Sequence, residues 1–265
     1  MSVYRRFGVP ALASAAILNV LASATFANAG SANDTPALNN PGLSSAYILQ
    51  SFDDNEKASN VTITNTLQNA YFFSNCAGAW GCYKSIPKGA TIFKAPSGYG
   101  TTPNSHYPRS ELRSKTEFQV GQNFRYIQAG QAYIVENPAT KSIIFAQIHG
   151  DKVGGSEMFK LRWKDGAVLT GVKKNYGDKE ERHTLFENVR LDEPIRYTLE
   201  AKGTSDSLEV TIKVVVAGKS AIETYEYSKE SWNGIKLYFK AGNYNQDSER
   251  GGPDAVVAYG ALTLN

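Results

Sequence analysis

Three short stretches carry residue types that can do chemistry together. Arg109, Glu111 and Arg113 alternate with Ser110 and Leu112, and Gln147 and His149 flank Ile148. Tyr238, Lys240, Tyr244 and Gln246 fall on one parity of residues 236–246. An arginine offers a planar, permanently charged fork that suits a carboxylate, and an amide can add a hydrogen bond. An imidazole, with an ordinary pKa of about 6.5, accepts a proton under mild conditions, and a phenol has one to give. Together these groups could hold an anion and move a proton beside it. Each stretch alone has a plainer reading: the solvated face of a strand, a structural histidine, or groove aromatics in a tyrosine-rich chain. Their co-occurrence, with polar groups on one parity and apolar groups on the other, lifts the functional reading.

That reading requires strands, because alternate side chains of a strand stand on the same face. Ser110 and Leu112 would then pack inward under the charged side of 109–113, and Ile144, Ala146 and Ile148 would anchor Gln147 and His149. Leu237, Phe239 and Ala241 back a face that is polar throughout 236–246, and Gly242 within it would let a bulky ligand approach the backbone. Residues 159–164 set Lys160, Arg162 and Lys164 against Phe159, Leu161 and Trp163; their basic side could extend the same surface, a solvated outer face being the plainer reading. Short β-branched and aromatic runs recur at 47–52, 91–94, 143–149, 158–163, 197–201, 208–216, 235–240 and 256–264 between turn-forming clusters. With no long helical periodicity, they predict an all-β sandwich or barrel.

The 265 residues, 42% hydrophobic and 11% aromatic, suffice for a sizeable core, which excludes disorder of the whole chain. With 28 basic against 25 acidic residues, the net charge of +3 falls short of what a nucleic-acid-coating domain carries. Arg5 and Arg6 precede an apolar run that closes on Ala27-Asn28-Ala29, the pattern of a secretory signal peptide over 1–29, an uncleaved anchor being the alternative. Its removal takes away two arginines and no acid, lowering the net charge to +1. Residues 30–44, with Pro36 and Pro41, read as a flexible leader, and 45–265 as a single domain. In an oxidising compartment Cys76 and Cys82 read as a small disulfide-closed loop, with two free thiols the alternative. They have no nearby histidine pair for zinc, and no Asp, Glu or His cluster has metal-ligand spacing.

The segments RSELR at 109–113, QIH at 147–149 and YFKAGNYNQ at 238–246 closely resemble, in order and spacing, the signature segments of the alginate lyases of polysaccharide lyase family 7. Phe93-Lys94-Ala95-Pro96 and Tyr107-Pro108 resemble the usual lead into the first of them, so the resemblance spans essentially the whole mature domain. It implies a β-jelly-roll sandwich of two antiparallel sheets, the concave one forming an open groove for a polyuronate. It places Arg109, Gln147, His149 and Tyr244 on catalytic positions and Glu111, Arg113, Tyr238, Lys240 and Gln246 on supporting or sugar-binding ones. Ile148 at the middle of QIH goes, within the family, with action on guluronate, although its parity turns it away from sugar. The resemblance does not account for the Cys76 to Cys82 loop.

The implied reaction is β-elimination: a base removes the C5 proton of a uronate, the bond to O4 breaks, and a C4=C5 double bond remains. The proton lies beside an ionised carboxylate, so that charge must be neutralised and the enolate-like anion stabilised. Arg109 and Gln147 are expected to do so, with His149 as base on guluronate and Tyr244 as acid at O4. On mannuronate Tyr244 would serve as both, if Lys240 and nearby arginines lower its pKa. Glu111 would orient Arg109 or Arg113. A glycoside hydrolase needs two flanking carboxyl groups, and the three segments hold one acid. A non-catalytic binding module would not need all three functions, and a lyase for another polyuronate such as glucuronan is the nearest rival. The expectation is a monomeric, secreted enzyme, extracellular or periplasmic, acting on the anionic polysaccharide alginate without cofactor, nucleic acid or membrane. Loops at 151–156, 174–182 and 247–254 would wall the groove, the glycine pairs at 154–155 and 251–252 allowing them to move.

Overall fold

The computed structural model describes residues 34–52, 57–100 and 105–265; the expected signal peptide over 1–29 lies outside them. Among the described residues two short helices, α1 (Pro36–Asn39) and α2 (Gly42–Ala46), lead into fifteen strands. One eight-stranded sheet orders β10 (Glu181–Phe186), β9 (Ala167–Val172), β8 (Glu157–Lys164), β7 (Ser142–Gly150), β14 (Leu237–Asn245), β5 (Arg109–Ser114), β1 (Tyr47–Phe52) and β2 (Ala58–Thr62). The seven-stranded sheet orders β13 (Lys219–Ser228), β12 (Ser207–Val216), β11 (Ile195–Gly203), β6 (Phe124–Glu136), β15 (Ala255–Leu264), β4 (Thr91–Ala95) and β3 (Phe72–Ser74). The ladders within both sheets are antiparallel, which matches the expected two-sheet jelly roll. Among the described residues no helix is long and apolar enough to cross a membrane.

The parity that makes a polar face also makes the core. Phe145, Ile148, Leu161 and Phe239 of the larger sheet meet Ile134, Leu199, Val210 and Tyr259 of the smaller, each buried. Fully burying a side chain of this size is worth about 1.5–3 kcal/mol, so the inner faces fix the register that the outer face then uses. A second apolar cluster, with Phe73, Ile92, Tyr133, Val135 and Val256, lies on the opposite parity of the smaller sheet. Tyr83 and Ile86 cover it from the segment that follows the loop closed by the Cys76–Cys82 disulfide.

The segment expected as a flexible leader is packed where the structure describes it. Ala37 and Leu43 are buried in the main core, and the Asn40 side-chain amide donates to Leu262 O at 2.9 Å. Pro36, with its fixed φ, starts α1 where a missing N–H costs nothing. The apolar Ala37 and Leu43 gain more by burial than the small polar residues around them suggest.

Parity also breaks within β7, beside the site. The β7 register slips between Ile144 and Ala146 against β8, and between the same residues against Ala241 and Tyr244 of β14. The extra residue lets Ile143 and Phe145 join Ala146 and Ile148 in the core, while Ile144 stands opposite Arg162 and Tyr244. The expectation that Ile144 shares the inward face of Ala146 and Ile148 is therefore corrected by a β-bulge.

Candidate active site

Strand β14 runs between β5 and β7 and gathers the three stretches. Lys240 is paired with Arg113 on one side and Gln147 on the other, Tyr238 with His149, and Tyr244 with Arg109. Directly opposed residues project from the same face, so the polar sides of all three stretches merge. Gly242 plays a different part from the one expected. Its φ of 137° suits glycine, and a Cβ there would lie 2.7 Å from Ser110 O and 2.8 Å from Glu111 Cα. Its missing side chain accommodates the neighbouring strand, not a ligand.

Beneath the face, Glu111 is the hub of a buried network. Its Oε2 lies 2.7 Å from Lys240 Nζ and 3.7 Å from Arg109, and its Oε1 accepts from Gln147 Nε2 at 2.6 Å. The nitrogen end of the Gln147 amide is assigned to Glu111 because an oxygen would meet the carboxylate there. Burial, the largest influence, would raise the Glu111 carboxyl, but Lys240 and Arg109 outweigh it and hold it below its ordinary range. Burial brings Lys240 down to about 8 against the pull of Glu111. Glu111 thus contacts Arg109, Lys240 and Gln147, whereas Arg113 pairs with Glu117 at 2.6 Å.

His149 is held at its Nδ1 edge, 2.7 Å from Gly150 O and 3.2 Å from the Tyr238 hydroxyl. A carbonyl only accepts, so Nδ1 carries the proton and Nε2 keeps its lone pair. Among the described residues Nε2 has no hydrogen-bond partner. Burial first, then Lys240, brings the imidazole down to about 4, so it is neutral under mild conditions.

Tyr244 lies under the Arg109 guanidinium, whose Cζ is 4.2 Å from the ring centroid, and its hydroxyl is 2.9 Å from Ser105 Oγ. Arg109 and Ser105 favour the phenolate, yet burial prevails and the phenol stays above its ordinary pKa. The net lowering expected from Lys240 and neighbouring arginines therefore does not result: burial outweighs the Arg109 contribution, and Lys240 is committed to Glu111.

The basic side of β8 is also not the solvated face it resembles. The Lys160 and Arg162 side chains are only 12% and 6% exposed and both pair with Glu180, at 2.9 and 3.1 Å, while Lys164 alone is exposed. Arg162 also donates to Gln246 at 3.2 Å, which ties this arm to Tyr244 two residues away. Glu157, facing His149 across β7 and β8, is held down to about 2: burial opposes ionisation, but Lys160 and Lys173 win. Ser105, Glu157 and Glu180 lie outside the three stretches, and no local pattern marks them. Only the long-range pairing of strands does.

A cleft of about 450 Å³ opens over this face, lined by Arg109, His149, Tyr238 and Lys240, by Gln50 and Asn60 from β1 and β2, and by loop 151–156. That loop is tied to its neighbour by Tyr176 Oη donating to Val153 O at 2.6 Å and Lys173 Nζ to Gly155 O at 3.2 Å. Cationic groups, a neutral imidazole with one free nitrogen and a protonated phenol can bind an anion and pass a proton. Among the described residues no three His, Cys, Asp or Glu side chains gather as a metal-binding group.

The alginate lyase family model matches residues 53–264. The fold is similar to that of alginate lyase A1-II', a member of polysaccharide lyase family 7: 26% identity over 87% of this chain and 98% of that one, TM-score 0.66. The same lyase bound to a substrate (GGMG) matches with 25% identity over 88% and 96% of the two chains, TM-score 0.66. An alginate lyase from Pseudomonas aeruginosa shares the fold at 22% identity over 83% and 98%, TM-score 0.63. No curated protein sequence matches.

Proposed function

The chain belongs to the alginate lyase family and is a polysaccharide lyase, and from that premise we propose that its cleft cuts alginate endolytically by β-elimination, preferring guluronate-containing stretches. One observation carries this reading: the Nδ1 edge of His149 is committed to Gly150 O, which leaves Nε2 as a neutral base on a face lined with cations. Arg109 receives the uronate carboxylate and withdraws charge from C5, and the second N–H of the Gln147 amide adds to the developing anion. His149 Nε2 takes the C5 proton, the bond to O4 breaks, and the Tyr244 hydroxyl delivers its proton to the leaving oxygen. Glu111 stays ionised throughout and holds Arg109, Gln147 and Lys240 in place.

The polar face continues to both sides of His149, towards Lys160 and Arg162 on β8 and towards Gln50 and Asn60 on β1 and β2. A polymer gripped on both sides of the cut is cleaved internally, which supports endolytic action. The guluronate preference rests on Ile148 in the middle segment. The N-terminal pattern and the disulfide support secretion, so that the enzyme, in this reading a monomer, meets its polyanionic substrate outside the cytoplasm. The test is ultraviolet absorbance of the unsaturated product from guluronate-rich, mannuronate-rich and glucuronan polymers. The fastest rise is expected on guluronate-rich chains; a rise on glucuronan alone would move the substrate, and none at all would overturn the assignment of this cleft.

A further inference from the structure

Arg113 and Tyr238, expected as sugar-binding groups, are each engaged with protein. Arg113 Nη2 donates to Glu117 Oε1 at 2.6 Å, and its Cζ stands 4.0 Å from the Tyr238 ring centroid. The Tyr238 ring in turn stacks on the His149 ring, centroids 5.6 Å apart and planes 22° apart, with its hydroxyl 3.2 Å from Nδ1. Since Nδ1–H is directed at Gly150 O, that hydroxyl sits on the edge of the imidazole opposite the free Nε2. We propose that Glu117, Arg113 and Tyr238 form a clamp that fixes the plane and tautomer of His149, so that Nε2 alone meets the substrate.

The chain of contacts has a physical order. Glu117, an exposed residue that follows β5, holds the flexible guanidinium, with Lys236 3.8 Å away balancing its charge. A guanidinium held in place can rest on an aromatic face, attracted by the negative potential of the ring, and the contact strengthens as it loses water. The ring so loaded, itself only 8% exposed, covers one face of the imidazole. A base displaced by about 1 Å forfeits up to a hundredfold in rate, so a clamp of this kind acts on turnover before it acts on binding. All three are positioning residues. The inference rests on His149 being the base.

The experiment measures kcat, KM and the pH dependence of kcat/KM on a guluronate polymer for Glu117→Gln, Tyr238→Phe and Arg113→Lys, beside His149→Asn. Glu117 is exposed, so Glu117→Gln is not expected to disturb folding. It should lower kcat roughly tenfold with KM little changed. The acid limb of its profile should move to higher pH as a loosened imidazole regains water. Arg113→Lys keeps the charge but not the flat stack and should show the same pattern, without rescue. A rise in KM alone, or a lower kcat with the acid limb unmoved, overturns the clamp. If His149→Asn keeps the parent's turnover, the assignment of the base falls instead, which separates the two failures.

Discussion

Lys240 Nζ and Glu111 Oε2 lie 2.7 Å apart with both side chains 1% exposed, so the floor of the cleft rests on an ion pair sealed from water. Such a pair contributes little net stability over an apolar replacement, but either partner is costly to leave alone. Glu111→Gln should therefore cost about 3–5 kcal/mol and lower Tm by roughly 10 °C. The double substitution with Lys240→Met should recover much of that loss without recovering turnover. Thermal melts of the two single variants and the double give the coupling directly; simple additivity would remove Glu111 from the centre of the network.

The acid limb of kcat/KM is expected near pH 4, far below an ordinary imidazole, because burial and then Lys240 bring His149 down to about 4 in the free protein. A bound uronate carboxylate brings negative charge beside the ring, so the acid limb of kcat should lie at higher pH than that of kcat/KM. Linkage has the same root. The unfolded chain binds a proton at His149 as pH falls below about 6.5, whereas the folded one waits until about 4. Stability from this group is therefore lost through that window on acidification. Both limbs near pH 6.5 would show that burial and Lys240 do not depress His149.

Tyr244→Phe should retain the fold and polymer binding and lose turnover, since it removes the proton delivered to O4 and leaves the Arg109 contact with the ring. Ser105→Ala is subtler. The Ser105 hydroxyl, 2.9 Å away, favours the phenolate, and its loss lets burial raise the phenol further. Because the acid must stay protonated, the alkaline limb on guluronate should move upward, a shift measured at constant ionic strength. Any reaction that needs the phenolate first should weaken in the same variant.

The strand alternation at 109–113 and 236–246 made most of this face legible in the sequence, because burial of Leu112, Phe239 and Ala241 forces the polar partners outward. What stayed hidden was non-local. The central strand β6 carries Gln128, Gly130 and Gln131 among its apolar residues; Gln128 is satisfied inside the sandwich by Tyr47 and Tyr197, and Gln131 on the outer face by Tyr133 and Arg196. Its pattern therefore resembles a loop. The β7 bulge has no local signature, and neither does the meeting of Glu180 with Lys160 and Arg162 across strands. A one-residue slip changes which face a side chain serves, and parity counted from the sequence cannot register it.

The Cys76–Cys82 disulfide closes a loop over the outer cluster of Phe73, Ile86 and Ile92, on the other sheet from the cleft. For so short a loop the chain-entropy estimate is roughly 2 kcal/mol. Reduction should lower Tm while leaving the initial rate of cleavage at moderate temperature unchanged. Loss of rate in parallel with reduction, at a temperature where the fold persists, would connect this loop to the cleft.

Ile148 sits between Gln147 and His149, yet its side chain is fully buried in the core between the sheets, on the face away from substrate. A group so placed cannot touch a sugar, so its association with guluronate has to act through packing or to mark other residues. Ile148→Val removes one methylene and should cost about 0.5–1.5 kcal/mol of stability. The ratio of initial rates on guluronate-rich and mannuronate-rich polymers should stay within about twofold of the parent, a difference of about 0.4 kcal/mol in the barrier, because the side chain does not reach the sugar. A reversal of that ratio would mean that the missing methyl lets β7 shift and carries His149 relative to C5, making the core residue itself the determinant of which uronate is cut.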